Sequence, residues 1–127
     1  MKKLLLVFTL ILASISSTYA YNNGISVAAG FTGTGYPYTD TEYVNISAYC
    51  PIQFSCTINR GPRYPTSGVG YAYVRHGLGG NVISSYDYQS GGSVTQSYSA
   101  TYTGQWYQLE LQASCVDNTI VQATLRW

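Results

Sequence analysis

Beyond its third residue the chain has no lysine, because Lys2 and Lys3 are the only two. Charge of either sign is scarce: 9% of the 127 residues are Asp, Glu, Lys or Arg. There is one histidine, His76, and no repeat or linker of useful length. After the first twenty residues no apolar run approaches the ~20 residues that a membrane-crossing helix needs. Nor does any ten-residue stretch there carry an i, i+3, i+4 apolar stripe with capping residues, which excludes an amphipathic helix.

Each shortage removes a class of function. From Tyr21 onward the cations are Arg60, Arg63, Arg75 and Arg126, set against Asp40, Glu42, Asp87, Glu110 and Asp117, for a formal charge of −1. Such a chain lacks the cationic surface that phosphate backbones require, so nucleic acid is an unsuitable partner. It equally lacks the basic face of a membrane-surface helix. A Ser-His-Asp site would have to be built on His76, and no serine lies in a nucleophile elbow. One histidine with Cys50 and Cys56 does not make a zinc site. Asp40 with Glu42, or Asp117 with Asn118, has no calcium-loop spacing. Glu110 is the carboxylate of a regular strand's polar face, where a solvated role is expected rather than glycosidase chemistry. No catalytic residue, metal or cofactor is expected, and the chain reads as a non-enzyme.

The first twenty residues have a positive head at Lys2-Lys3, an apolar stretch over Leu4–Ala13 and a small polar tail ending at Ala20. This is the layout of a secretory signal peptide, so cleavage after Ala20 and a secreted product, extracellular or periplasmic, are expected. Residues 21–127 then form a single domain, large enough for one core without a metal.

What the chain has in quantity is tyrosine, 14 in all, with Gly, Ser and Thr. Tyr, Thr and Val suit a pleated, half-buried surface, and a chain so aromatic and so weakly charged is not disordered. Apolar residues alternate in Tyr43–Cys50, Ile52–Ile58, Trp106–Cys115 and Ile120–Trp127, with weaker runs at Ile25–Phe31, Val69–Arg75, Val82–Tyr88 and Val94–Tyr102. In Trp106–Cys115 the alternation sends Tyr107, Leu109, Leu111, Ala113 and Cys115 inward and Trp106 outward. One apolar and one polar face per run is the antiparallel signature. Glycine pairs and Asp117-Asn118 supply hairpin turns, so Val69–Trp127 reads as a five-strand meander. The expectation is an all-β antiparallel sandwich of about seven or eight strands, with a small β-barrel as alternative. Two Gly/Pro-rich segments, Thr32–Thr41 and Asn59–Gly68, read as long connections.

Three exported cysteines leave one over after a single disulfide. A Cys56–Cys115 bond closes a long loop and contributes about 4 kcal/mol, against about 2 kcal/mol for Cys50–Cys56. Cys56–Cys115 is therefore expected, with Cys50–Cys115 and Cys50–Cys56 open as alternatives. Asn45-Ile46-Ser47 is a glycosylation sequon lying on an expected strand.

Two features point to recognition. Arg60, Arg63, Arg75 and His76 fall within seventeen residues, beside Tyr64 on a proline-stiffened loop. Arginine's planar fork suits carboxylates and sulfates, so these five residues form the expected binding rim. Tyr36, Tyr38, Tyr43, Tyr49 and Trp106 are also placed off the core, and tyrosine is enriched in recognition surfaces. The functional expectation is a small non-enzymatic binding module for a glycan or protein at a cell surface. The alternatives are a self-assembling extracellular subunit, which unguarded sheet edges would permit, and a small secreted toxin or inhibitor.

Overall fold

The computed structural model describes residues 21–31, 33–60, 69–77, 79–90, 92–116 and 119–127. The expected signal segment, Arg63, Tyr64 and the Asp117-Asn118 turn lie outside the described residues. Six strands follow one another: β1 (Gly24–Gly30), β2 (Thr39–Arg60), β3 (Val69–His76), β4 (Val82–Asp87), β5 (Thr95–Val116) and β6 (Thr119–Arg126). No helix occurs among the described residues. The strands form one antiparallel sheet in the order β1-β6-β2-β5-β3-β4, whose outermost strands do not pair with each other. An open single sheet thus replaces the seven or eight strands of two separate sheets expected from the alternation, and it is not a closed barrel.

The strand number falls because four of the expected runs fuse into two. Tyr43–Cys50 and Ile52–Ile58 are both part of β2, and Val94–Tyr102, from Thr95 onward, and Trp106–Cys115 both belong to β5. Pro51 does not interrupt β2, because it pairs with Thr103 before the β6 ladder begins at Gln53. Among the described residues none pairs with the other flank of the strand there, which is where a residue without an N–H is tolerated.

Twenty-two residues of straight strand would run about 75 Å, far beyond a domain whose radius of gyration is on the order of 13 Å. The long strands therefore have to bend. The β2–β5 register shifts between Asn45 and Ala48, and Ser47 takes a left-handed backbone conformation with φ 51°. Beside this bulge β5 changes the face it turns inward. Gln96 and Trp106 are buried at even positions, whereas Leu109, Leu111, Ala113 and Cys115 are buried at odd ones. Trp106 is consequently inside and Tyr107 is 67% exposed, the reverse of the sequence expectation. The Trp106 indole lies over Gly104 and donates its N–H to the Cys50 carbonyl at 2.7 Å.

Bending folds the sheet over a single core of Ile52, Phe54 and Ile58 from β2, Leu109 and Leu111 from β5, Val74 from β3, and Val121 and Leu125 from β6. Strands distant in sheet order then meet: β3 packs on β6 and β1 on β5. Gly70 is required at that crossing, since a Cβ there would sit 2.6 Å from a Val121 methyl. Side chains, rather than backbone ladders, link the edges of the folded sheet. The Ala28 N–H donates to Asp40 Oδ2 at 3.0 Å, joining β1 to the start of β2. Tyr102 donates to Ser84 Oγ at 2.9 Å, joining β5 to β4. Buried Gln96 ties down the β4–β5 connection, accepting from the Gln89 N–H and donating to the Gln89 carbonyl, both at 2.8 Å.

The five-strand meander is also corrected. β3 and β4 form a hairpin, but β5 and β6 are not neighbours, since β6 lies between β1 and β2. The cysteines form no disulfide. Cys56 is registered with Tyr98 and Ala123, Cys115 with Gly70, so the expected Cys56–Cys115 bond gives way to two thiols on different strands. Burial pushes the Cys56 thiol up to about 12. Among the described residues no helix is long and apolar enough to cross a membrane.

Candidate functional site

The structure describes three of the five residues expected to form a binding rim and separates them. Arg60 ends β2 opposite Thr119, with its guanidinium 5.8 Å from the centre of the Tyr88 ring. Tyr88 donates its backbone N–H to Gly70, which puts this pair near the start of β3. Arg75 and His76 are at the other end of β3, five and six residues along, or about 17–20 Å. His76 is exposed and lies against Trp106, with ring centres 5.8 Å apart. Arg63 and Tyr64 lie outside the described residues.

Arg75 is engaged within the protein. On the outer face of β5, Glu110 is flanked by Tyr43 of β2 and Arg75 of β3. Arg75 Nε donates to Glu110 Oε2 at 2.7 Å, and Arg75 Nη2 donates to Oε1 at 3.1 Å. The Tyr73 ring lies 5.3 Å from the guanidinium, and its hydroxyl donates to Gln112 Oε1 at 2.7 Å. Burial, reinforced by the Glu110 charge, holds that hydroxyl above the ordinary phenol value, so it stays a donor. Overlaid in this way, Glu110 is only 2% exposed. The carboxylate expected to be solvated is instead sealed under the side chains of β3. A buried charge needs a partner with good geometry, and the arginine's planar fork provides one.

A different region has the shape of a site. The connection from β1 to β2 turns back over the end of β1 through Gly33 (φ 98°) and Gly35 (φ 82°), left-handed conformations that glycine adopts without strain. Thr34 Oγ1 donates to the Phe31 carbonyl at 2.7 Å, and the Gly30 N–H donates to the Pro37 carbonyl at 2.9 Å. A side chain at Gly30 would meet Thr34 and Tyr36 at 2.5 and 3.2 Å. The loop thus stands Tyr36 over the outer face of β1 and β6. Between them opens a cleft of about 450 Å³, lined by Ser26, Ala28, Gln122 and Thr124 from the sheet and by Tyr36, Pro37 and Asp40 from the loop side.

Chemically the cleft offers one phenol wall, two aliphatic hydroxyls, a primary amide and a carboxylate. Asp40 accepts the Ala28 N–H through Oδ2, which fixes the carboxylate while leaving its other lone pairs for a ligand. Hydroxyl and amide groups both donate and accept, and a carboxylate accepts from up to two neighbouring hydroxyls. Among the described residues no cation lines the cleft. Among the described residues no three His, Cys, Asp or Glu side chains converge to hold a metal ion.

Sequence reading placed Tyr36 and Tyr38 off the core, and they are 43% and 54% exposed. It did not associate Tyr36 with Asp40, or either with β6. The available signal was local: a TGTGYPYTDT segment whose two left-handed glycines and proline dictate a fold-back. No family model matches the chain, and no curated protein is significantly similar to it.

Proposed function

We propose that the chain is an exported, non-enzymatic binding module that recognises a neutral glycan in the cleft between Tyr36 and the outer face of β1 and β6. The observation that carries this reading is the composition of the cleft: one half-exposed aromatic ring opposite a floor of short hydroxyl and amide side chains, with a fixed acceptor carboxylate. A sugar ring presents an apolar C–H face and a rim of hydroxyls, and this arrangement complements both. Ligand sites combine an apolar surface with a few placed polar groups in this manner. The folded sheet supports the reading mechanically, because the cleft floor is regular strand backed by Val27 and Ala123 of the core.

Calorimetric titration of residues 21–127 with a panel of neutral oligosaccharides tests it. Tyr36→Ala is expected to weaken binding of any ligand found by at least about tenfold, or about 1.4 kcal/mol. Asp40→Asn retains an oxygen acceptor for the Ala28 N–H and is expected to weaken binding while preserving the fold. Undiminished affinity in a folded Tyr36→Ala variant excludes the cleft.

A further inference from the structure

We propose that the open edge of β5 between Thr95 and Gln105 is a pairing surface for a second copy of this chain. This is independent of the cleft, which lies at the opposite border of the sheet. From Leu109 to Val116, β5 has β3 along one flank. From Thr95 to Trp106 its backbone pairs with β2 alone; β4 meets this stretch through side chains, Tyr102 with Ser84 and Tyr86 with Gln96 and Tyr98, and no described backbone group pairs with its other flank.

The remaining edges are guarded, each by a different device. On β1 the outward N–H groups of Ala28 and Gly30 already have acceptors, in the Asp40 carboxylate and the Pro37 carbonyl. The first half of β2 carries Asp40 and Glu42. β4 has only six residues, a register shift at its Val82 end and Asp87 at the other. Short length, charge and irregularity are the ways proteins keep sheet edges from pairing. The stretch from Thr95 to Gln105 has none of them: eleven regular residues, TQSYSATYTGQ, without charge or proline.

The same features select the occupant. Edge-to-edge association of two identical chains about a two-fold axis is isologous, so the surface has to complement itself. A charged edge would set like charges opposite each other, whereas this one cannot. Its outward residues Thr95, Ser97, Ser99, Thr101 and Thr103 are all exposed, and opposed Ser and Thr hydroxyls hydrogen-bond across strands. Within the sheet Ser99 already does so with Ser55 at 3.3 Å. Pairing would join two six-stranded sheets through backbone hydrogen bonds, with specificity from the hydroxyl row.

Sedimentation equilibrium of residues 21–127, from low micromolar to near-millimolar concentration, is expected to show a monomer–dimer equilibrium. Ser99→Lys combined with Thr101→Lys should leave the thermal midpoint unchanged and weaken dimerisation by at least about tenfold. Val82→Lys, the same charge on the β4 edge, should leave it intact. Amide exchange in Thr95–Gln105 should slow as wild-type concentration rises, a readout that needs no variant. A wild type monomeric throughout, a lysine pair that dimerises normally, equal weakening by Val82→Lys, or exchange independent of concentration would each overturn the proposal.

Discussion

Glu110 faces outward from its strand and is nonetheless sealed from water, because Arg75 and Tyr73, thirty-five and thirty-seven residues earlier in sequence, lie across it. Period-two alternation assigned Glu110 to the outer face correctly, but its burial depends on the β3–β5 register, which no local pattern encodes. The same residues separate core from cover. Leu111→Ala should cost ~2–5 kcal/mol, the usual range for a cavity at a fully buried leucine. Gln112→Ala should cost about 1 kcal/mol, because Tyr73 loses its nearest acceptor but retains Glu110 at 3.3 Å. Urea unfolding of both variants checks the ratio; equal costs would contradict the burial assigned to this strand. Cys56 gives a chemical test. With its thiol raised to about 12 by burial, it should resist alkylation at pH 8 while half-buried Cys50 reacts. Unfolded, that thiol ionises near 9. The stability arising from keeping it protonated is therefore complete below pH 9 and lost as pH rises from 9 towards 12. Cys56→Val should flatten the alkaline fall in stability, and an unchanged slope would show that other groups cause it.

At the scale of strands, boundaries were harder to read than strands themselves. All eight alternating runs are extended in the structure, and the two unforeseen fusions occur where proline or glycine marked a separation. Those residues have other causes: Pro51 sits where no described residue pairs with one flank of β2, and Gly104 makes room for an indole. Gly104→Val should displace that ring, break its hydrogen bond to Cys50 and shift Trp106 fluorescence to the red, with Trp127 as the unaffected reference. An unshifted spectrum would mean that the indole is not held by Gly104. The switch of inward face along β5 is the part alternation could not supply. It follows from the bulge across from it, and one register step reverses every subsequent side chain. The cleft was partly legible, since the glycine and proline content of Thr32–Thr41 specifies a fold-back, but not the strands over which it folds.

For the molecule as a whole, turn chemistry says that a chain reverses, not which strand it then joins. Asp117-Asn118 reads as a hairpin because the two flanking strands are so close in sequence. Yet β6 enters the sheet between β1 and β2, and the ends of the described chain meet, with Asn23 and Trp127 exchanging backbone hydrogen bonds at 3.0 and 3.1 Å. Membership of an antiparallel all-β class was legible; the order of strands was not, because it is decided by burial of faces far apart in sequence.

The placement of β6 also governs timing. A chain emerging N-terminus first presents β1 and the second half of β2 long before Thr119–Arg126 exists, and both wait for that strand to fill the gap between them. Among the described residues β1 has no other backbone ladder. Topologies so dependent on distant pairings fold slowly. Such lateness keeps the sheet incomplete, and the chain extended, until its last eight-residue strand is available.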